Sequence, residues 1–137
     1  VRELIDVEVD VFDRVARAIL KEYPNAYVSS VHVTMPPQFP AVSLVETSNV
    51  EQASMADSSG GENASAVVYT MNAYSNSAKT AKEECRRIAA IASAEMRAMN
   101  MARLMCEPID NAADPSIYRI VARYAGLVDK NHVMYRR

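Results

Sequence analysis

The chain has 137 residues, half of them hydrophobic and 23% charged, with a formal net charge of −2. These totals describe one domain with enough apolar content for a real core, and an acidic balance is a poor basis for tight nucleic-acid binding. No apolar run reaches membrane-spanning length and no secretory leader pattern is present, so the expectation is a soluble protein made in the cytosol, with no membrane partner. The charge is polarised along the chain: residues 1–64 hold four basic and ten acidic side chains (−6), and residues 65–137 hold eleven basic and seven acidic (+4). A subunit divided in this way can associate head to tail, its acidic side against a neighbour's basic side.

Val1 to Tyr23 reads as a helix after a short lead-in, with Phe12, Val15, Ala16, Ile19 and Tyr23 on its apolar face and Asp6 or Asp10 as its cap. Asp6, Glu8, Asp10 and Asp13 read as a solvated helix start, with no companion ligand set elsewhere in the chain. Pro24-Asn25 ends the helix. Ala26–Thr34 alternates as a strand, Met35 to Pro40 breaks the pattern with three prolines, and Ala41–Glu46 resumes it; an antiparallel pair is expected. Thr47–Asn63 contains Gly60-Gly61 and the acids Glu51, Asp57 and Glu62 but no Lys or Arg. It reads as a flexible acidic excursion between two strands, a candidate contact arm.

The stretch around which the rest is organised follows. Ala66–Tyr74 is rich in β-branched and aromatic residues and predicts a well-covered strand. Ser75-Asn76-Ser77 offers capping groups, and Ser77–Asn100 carries Ala78, Ala81, Cys85, Ile88, Ala92 and Met99 at helical spacing. Lys79, Lys82, Glu83, Arg86, Arg87 and Arg97 fall mostly off that stripe. Small residues allow close approach, so the helix is expected to lie on a sheet. Met101–Glu107 is apolar with interruptions, Pro108–Pro115 is turn-rich, and Ser116–Leu127 predicts a strand with Tyr118, Ile120, Ala122 and Tyr124 on one face and Ile117, Arg119, Val121 and Arg123 on the other. Gly126 is placed to permit a bend, and Val133–Tyr135 predicts a short last strand. Together these elements predict an α+β (α/β) fold: a single domain, residues 1–137, with two main helices packed on one face of a mixed, mostly antiparallel sheet.

Chemistry-bearing patterns are absent from the sequence. His32 and His132 have no ligand-type spacing, and no nucleophile elbow, Walker loop, dinucleotide glycine pattern or zinc motif occurs. Cys85 and Cys106 lack metal spacing and read as buried free thiols. Arg119 and Arg123 point the same way from one strand, with Glu83, Glu84 and Glu107 as available counter-ions, and salt bridging is the expected role. The sequence therefore points to no enzyme and no cofactor.

Pro108-Ile109-Asp110-Asn111, Asp114–Arg123 (DPSIYRIVAR), Tyr124–Asp129 and the closing Met134-Tyr135-Arg136, with VVYTMNAYSNSAKTAKEECRRI at the centre and FPAVSLVE before it, resemble tail-terminator proteins of long-tailed bacteriophages. The resemblance extends to the order of elements over nearly the whole chain. It implies a virion protein that forms a ring, usually a hexamer, at the head-proximal end of the tail tube, ending tube growth and mediating head-tail joining. Its implied partners are itself, the tail-tube protein and a neck or head-completion protein, with genomic DNA passing through the bore. No family motif pins a contact residue; the candidates are Glu51, Met55, Asp57 and Glu62 of the loop, Arg86 on the long helix, and Arg119 and Arg123. A neck, head-completion or tail-tube protein is the nearest alternative. A small enzyme or ligand-binding domain using Asp10, His32 or the Arg119–Arg123 face is the alternative of another class.

Overall fold

The computed structural model describes residues 6–33, 36–51, 64–109 and 114–129, and the backbone of 134–135. Helix α1 (Glu8–Glu22) forms where Val11, Val15, Ala16 and Ile19 recur at helical spacing, and these four are its buried residues. Val7 stands at its N-cap without a side-chain cap; Asp6 instead accepts the Glu8 N–H at 3.0 Å, and Asp10 lies inside the helix.

The expected hairpin after α1 is a parallel pair. Strand β1 is short (Tyr27–Ser29) and lies parallel to the start of β2 (Ala41–Glu51), Tyr27 against Ala41 and Ser29 against Ser43. The Ser29 hydroxyl accepts the Val31 N–H at 3.1 Å, which offers the backbone a local partner in place of a ladder. The strand stops there, and the proline-rich segment, with a cis Phe39–Pro40 bond, carries the chain back to begin β2 alongside β1. Strand β2 also runs further than the sequence suggests: of the stretch Thr47–Glu51, assigned above to the acidic loop, Thr47 forms a bulge and residues 48–51 are paired with β3 (Ala64–Ser75).

Helix α2 (Ala81–Ala98) starts four residues later than the pattern suggests. Thr80 is at its N-cap, while Ser75 is turned away to donate to Glu84 at 2.8 Å. Its buried side chains are Cys85, Ile88, Ala89, Ala92 and Met96, and Ala78 is exposed. Asn100, at φ 63°, ends it: its N–H bonds Arg97 O at 2.9 Å and the Met101 N–H bonds Met96 O at 2.9 Å. This pairing is the Schellman arrangement, and it reverses the chain into β4 (Ala102–Pro108). Strands β5 (Tyr118–Asp129) and β6 (Met134–Tyr135) complete the sheet. Gly126 makes no bend: it continues the ladder opposite Val67, and a Cβ on it would come within 3.0 Å of Met101 Cγ, so the missing side chain lets Met101 pack against the strand.

The fold is α+β, with five strands ordered β1-β2-β3-β5-β4 in an open, mixed, mostly antiparallel sheet, and β6 paired to β5 beyond the start of β4. Alternation decides which face is covered. Val67, Tyr69, Met71 and Ala73 of β3 and Ile120, Ala122 and Tyr124 of β5 join Val11, Val15, Ile19, Ile88 and Met96 of the helices in one core. Each fully buried Val, Ile or Met side chain among these contributes roughly 1.5–3 kcal/mol. The helices run antiparallel, tied by Arg14–Glu95 at 2.9 Å near one end and Arg87–Glu22 near the other. The second face carries no helix among the described residues. Ala41, Tyr74 and Ile117 form a small apolar cluster there, with Tyr27 and Phe39 against it.

Candidate functional site

Among the described residues, the polar groups of note gather along the two edges of the sheet and on its second face. The first group is at the β2 edge. Tyr69 projects from β3 toward the helices and donates its hydroxyl to Glu46 at 3.1 Å. Asp6 and Glu8, at the entry to α1, bring their carboxylates to the same place, so that one oxygen from each of the three acids lies within 4.8 Å of the others. Burial, chiefly, raises the Glu46 carboxyl above its ordinary range, with Glu8 and Asp6 adding repulsion and the Tyr69 hydrogen bond opposing them. Burial and the Glu46 charge push the Tyr69 phenol far up, so it stays a donor. Three crowded carboxylates are chemically suited to gather positive charge, whether a cation or a guanidinium. The local sequence does not reveal this cluster, because Glu46 is separated from Asp6 by the whole of α1 and β1.

The opposite edge is basic on the same side of the sheet. Arg97, in the last turn of α2, and Arg103 on β4 line one shallow recess with Ser93, Met101 and Ala102. Arg103 has no hydrogen bond or ion pair among the described residues. Beside it the Tyr124 hydroxyl is 2.8 Å from Ser93 Oγ. Strand β4 is exposed at every residue except the half-buried Met105, and Leu104 is 55% exposed. Cys106, expected to be buried, lies on this strand and is exposed; Cys85 is buried against α2's strand neighbours, and burial pushes its thiol up to about 12.

On the second face, Arg119 departs from the expected salt bridge. Its Nε and Nη2 donate to Asn72 Oδ1 at 3.0 and 2.8 Å, and its guanidinium lies 5.7 Å from the centre of the Tyr74 ring. Glu84 is on the other side of the sheet with Ser75, and Glu107 is exposed. Arg123 shares Arg119's face, is exposed, and has no ion pair among the described residues.

The remaining candidates are dispersed. Glu51 is the last residue of β2 and Arg86 is exposed on α2, whereas Met55, Asp57 and Glu62 lie outside the described residues. Asp10 lines a charged groove on α1 with Asp13, Arg14, Arg17 and Glu95, His32 is exposed after β1, and the sheet stands between Asp10 and Arg119. The structure does not bring the three groups of the enzyme alternative together.

No family model matches this chain, and no curated protein matches it closely enough to count as a relative.

Proposed function

We propose that this chain is a ring-forming structural subunit of a bacteriophage tail, closing the head-proximal end of the tail tube and serving head-tail joining. The observation that carries the reading is the one-sided construction of the domain. Both helices serve one face of the sheet, while among the described residues the second face carries no helix and β4 is exposed at every residue but the half-buried Met105. The element order adds support: helix, short strand, proline-bearing link, strand, strand, long helix and returning strands follow the pattern on which the resemblance to tail terminators rests. The ring would contact the tube on one side and a neck or head-completion protein on the other, with DNA crossing its bore without sequence-specific contacts.

The test is the mass of the purified protein in solution, with negative-stain images of the protein alone and mixed with tail-tube subunits. Closed rings, and tubes capped at a fixed length, are the expected result. A monomer that leaves tube growth unaltered overturns the reading.

A further inference from the structure

The register of the sheet aligns its two charged edges. Glu46 pairs with Tyr69, Tyr69 with Tyr124, and Tyr124 with Arg103, so one row crosses four strands from an acid at one edge to a base at the other. All four side chains are on the helix side, as the Tyr69–Glu46 bond and the burial of both tyrosines in the main core require. Both edges have backbone groups to offer. Strand β1 occupies β2 only at Ala41–Ser43, so among the described residues no strand lies against the outer side of Leu44–Glu51. Among the described residues β4 is paired with β5 alone, and β6 continues the same edge alongside Leu127 and Val128. An exposed strand with unpaired N–H and C=O groups is a template for another strand. The middle of β4, Leu104-Met105-Cys106, carries no charge, and its only proline is the last residue.

We propose that copies of this chain join edge to edge: β4 of one copy pairs antiparallel with Leu44–Glu51 of β2 on the next, setting Arg103 and Arg97 against the next copy's Glu46, Asp6 and Glu8. The strand directions agree with this. Strands β2, β3, β5 and β4 alternate in direction, so a neighbour generated by rotation about an axis along the strands presents β2 antiparallel to β4. In the sheet's own register Arg103 meets Glu46 at the same level. The three crowded carboxylates gain a positive charge that no described residue of their own chain is paired to supply, and Arg103, which has no ion pair among the described residues, gains acids. The choice of a head-to-tail contact over a two-fold one rests on the ring reading.

Cys106 is a built-in reporter, since it is exposed on β4 while Cys85 is buried. Thiol labelling is followed while the oligomer forms, its mass being read in parallel. Labelling of Cys106 is expected to slow at least about tenfold on assembly, because thiolate reactivity depends on access. Arg103→Glu and Glu46→Lys are each expected to weaken assembly by at least about tenfold through like-charge contact. An equimolar mixture of the two variants is expected to restore it, since alternating copies again oppose unlike charges at every contact. Circular dichroism checks that each variant folds; Leu104→Lys, at an exposed position, breaks the same edge if Glu46→Lys does not fold. Unchanged assembly by Arg103→Glu, Cys106 labelling at the free-chain rate within the oligomer, or cross-linking of Cys106 to Cys106 by a short bis-maleimide would overturn the pairing. Rings that cap tubes with Cys106 still reactive sink the pairing alone. Edge-paired oligomers that leave tube growth unaltered sink the terminator reading alone, and a strict monomer sinks both.

Discussion

The two faces of β3 and β5 come from alternate residues of the same two strands, yet they are packed differently. On the helix side Tyr69, Met71, Ala73, Ala122 and Tyr124 are all fully buried. On the other side Tyr74, Val121 and Ala125 are buried, but Val68, Thr70 and Leu127 are only half-buried, Arg123 is exposed, and Arg119 is fixed by directional bonds to Asn72 and a ring contact. The covered face is held by apolar area, which is unforgiving of lost volume. The second face is held by the smaller apolar cluster of Ala41, Tyr74 and Ile117 and by a few polar contacts, and it tolerates change at its exposed positions. The difference teaches that one sheet can carry its main core on the side that the helices cover and leave a smaller, more polar set of contacts on the other.

The largest break in that comparison is expected at Ile88. Ile88→Ala removes a fully buried side chain and leaves a cavity, with an expected loss of about 2–5 kcal/mol seen as a lower denaturant midpoint. On the second face, Arg119→Lys keeps the charge but loses the two-pronged bond to Asn72 and the planar contact with Tyr74. A loss of about 1 kcal/mol is expected from the same measurement.

Glu46→Gln is expected to act in the opposite direction in the dilute single chain. An acid whose folded-state pKa is raised binds its proton more tightly when folded. Its contribution is therefore intact below the ordinary value of 4.5 and is lost as pH rises through the raised one. The wild type should lose stability across that window, and Glu46→Gln should flatten the profile and gain less than about 1 kcal/mol at neutral pH, solvent screening limiting the effect. Chemical melts at several pH values check it, and a parallel profile for the two proteins would count against the crowded-carboxylate account. Arg123→Ala is the smallest, within about 0.5 kcal/mol, as for other exposed side chains, Arg123 having no ion pair among the described residues. A cost there as large as that of Ile88→Ala would erase the distinction between the faces.

Much of the covered face is legible in the sequence because it depends on local periodicity. The 3.6-residue spacing of Cys85, Ile88, Ala92 and Met96 and the two-residue spacing of Tyr118, Ile120, Ala122 and Tyr124 each name the side that meets the core. What fails is pairing. The alternation of Ala26–Thr34 does not say that Ser29 will bond its own backbone and end the strand, nor that β1 will lie parallel to β2. The polar residues and the one acid of Thr47–Glu51 read as a loop because their composition is that of one, and the partner strand keeps them in the sheet. Cys106 looks as apolar as Cys85, but burial depends on whether anything lies above β4.

The candidate surfaces are less legible than the fold for the same reason. The sequence by itself determined the helices, the central strands, their inward faces and the division of charge between the halves, because these follow from spacing and composition along the chain. Only the tertiary structure decided that Asp6, Glu8 and Glu46 converge, that Arg119 takes Asn72 instead of an acid, and that Glu46 and Arg103 end the same row of the sheet. Those are contacts between residues far apart in the chain, set by strand order and register, and no local pattern encodes them.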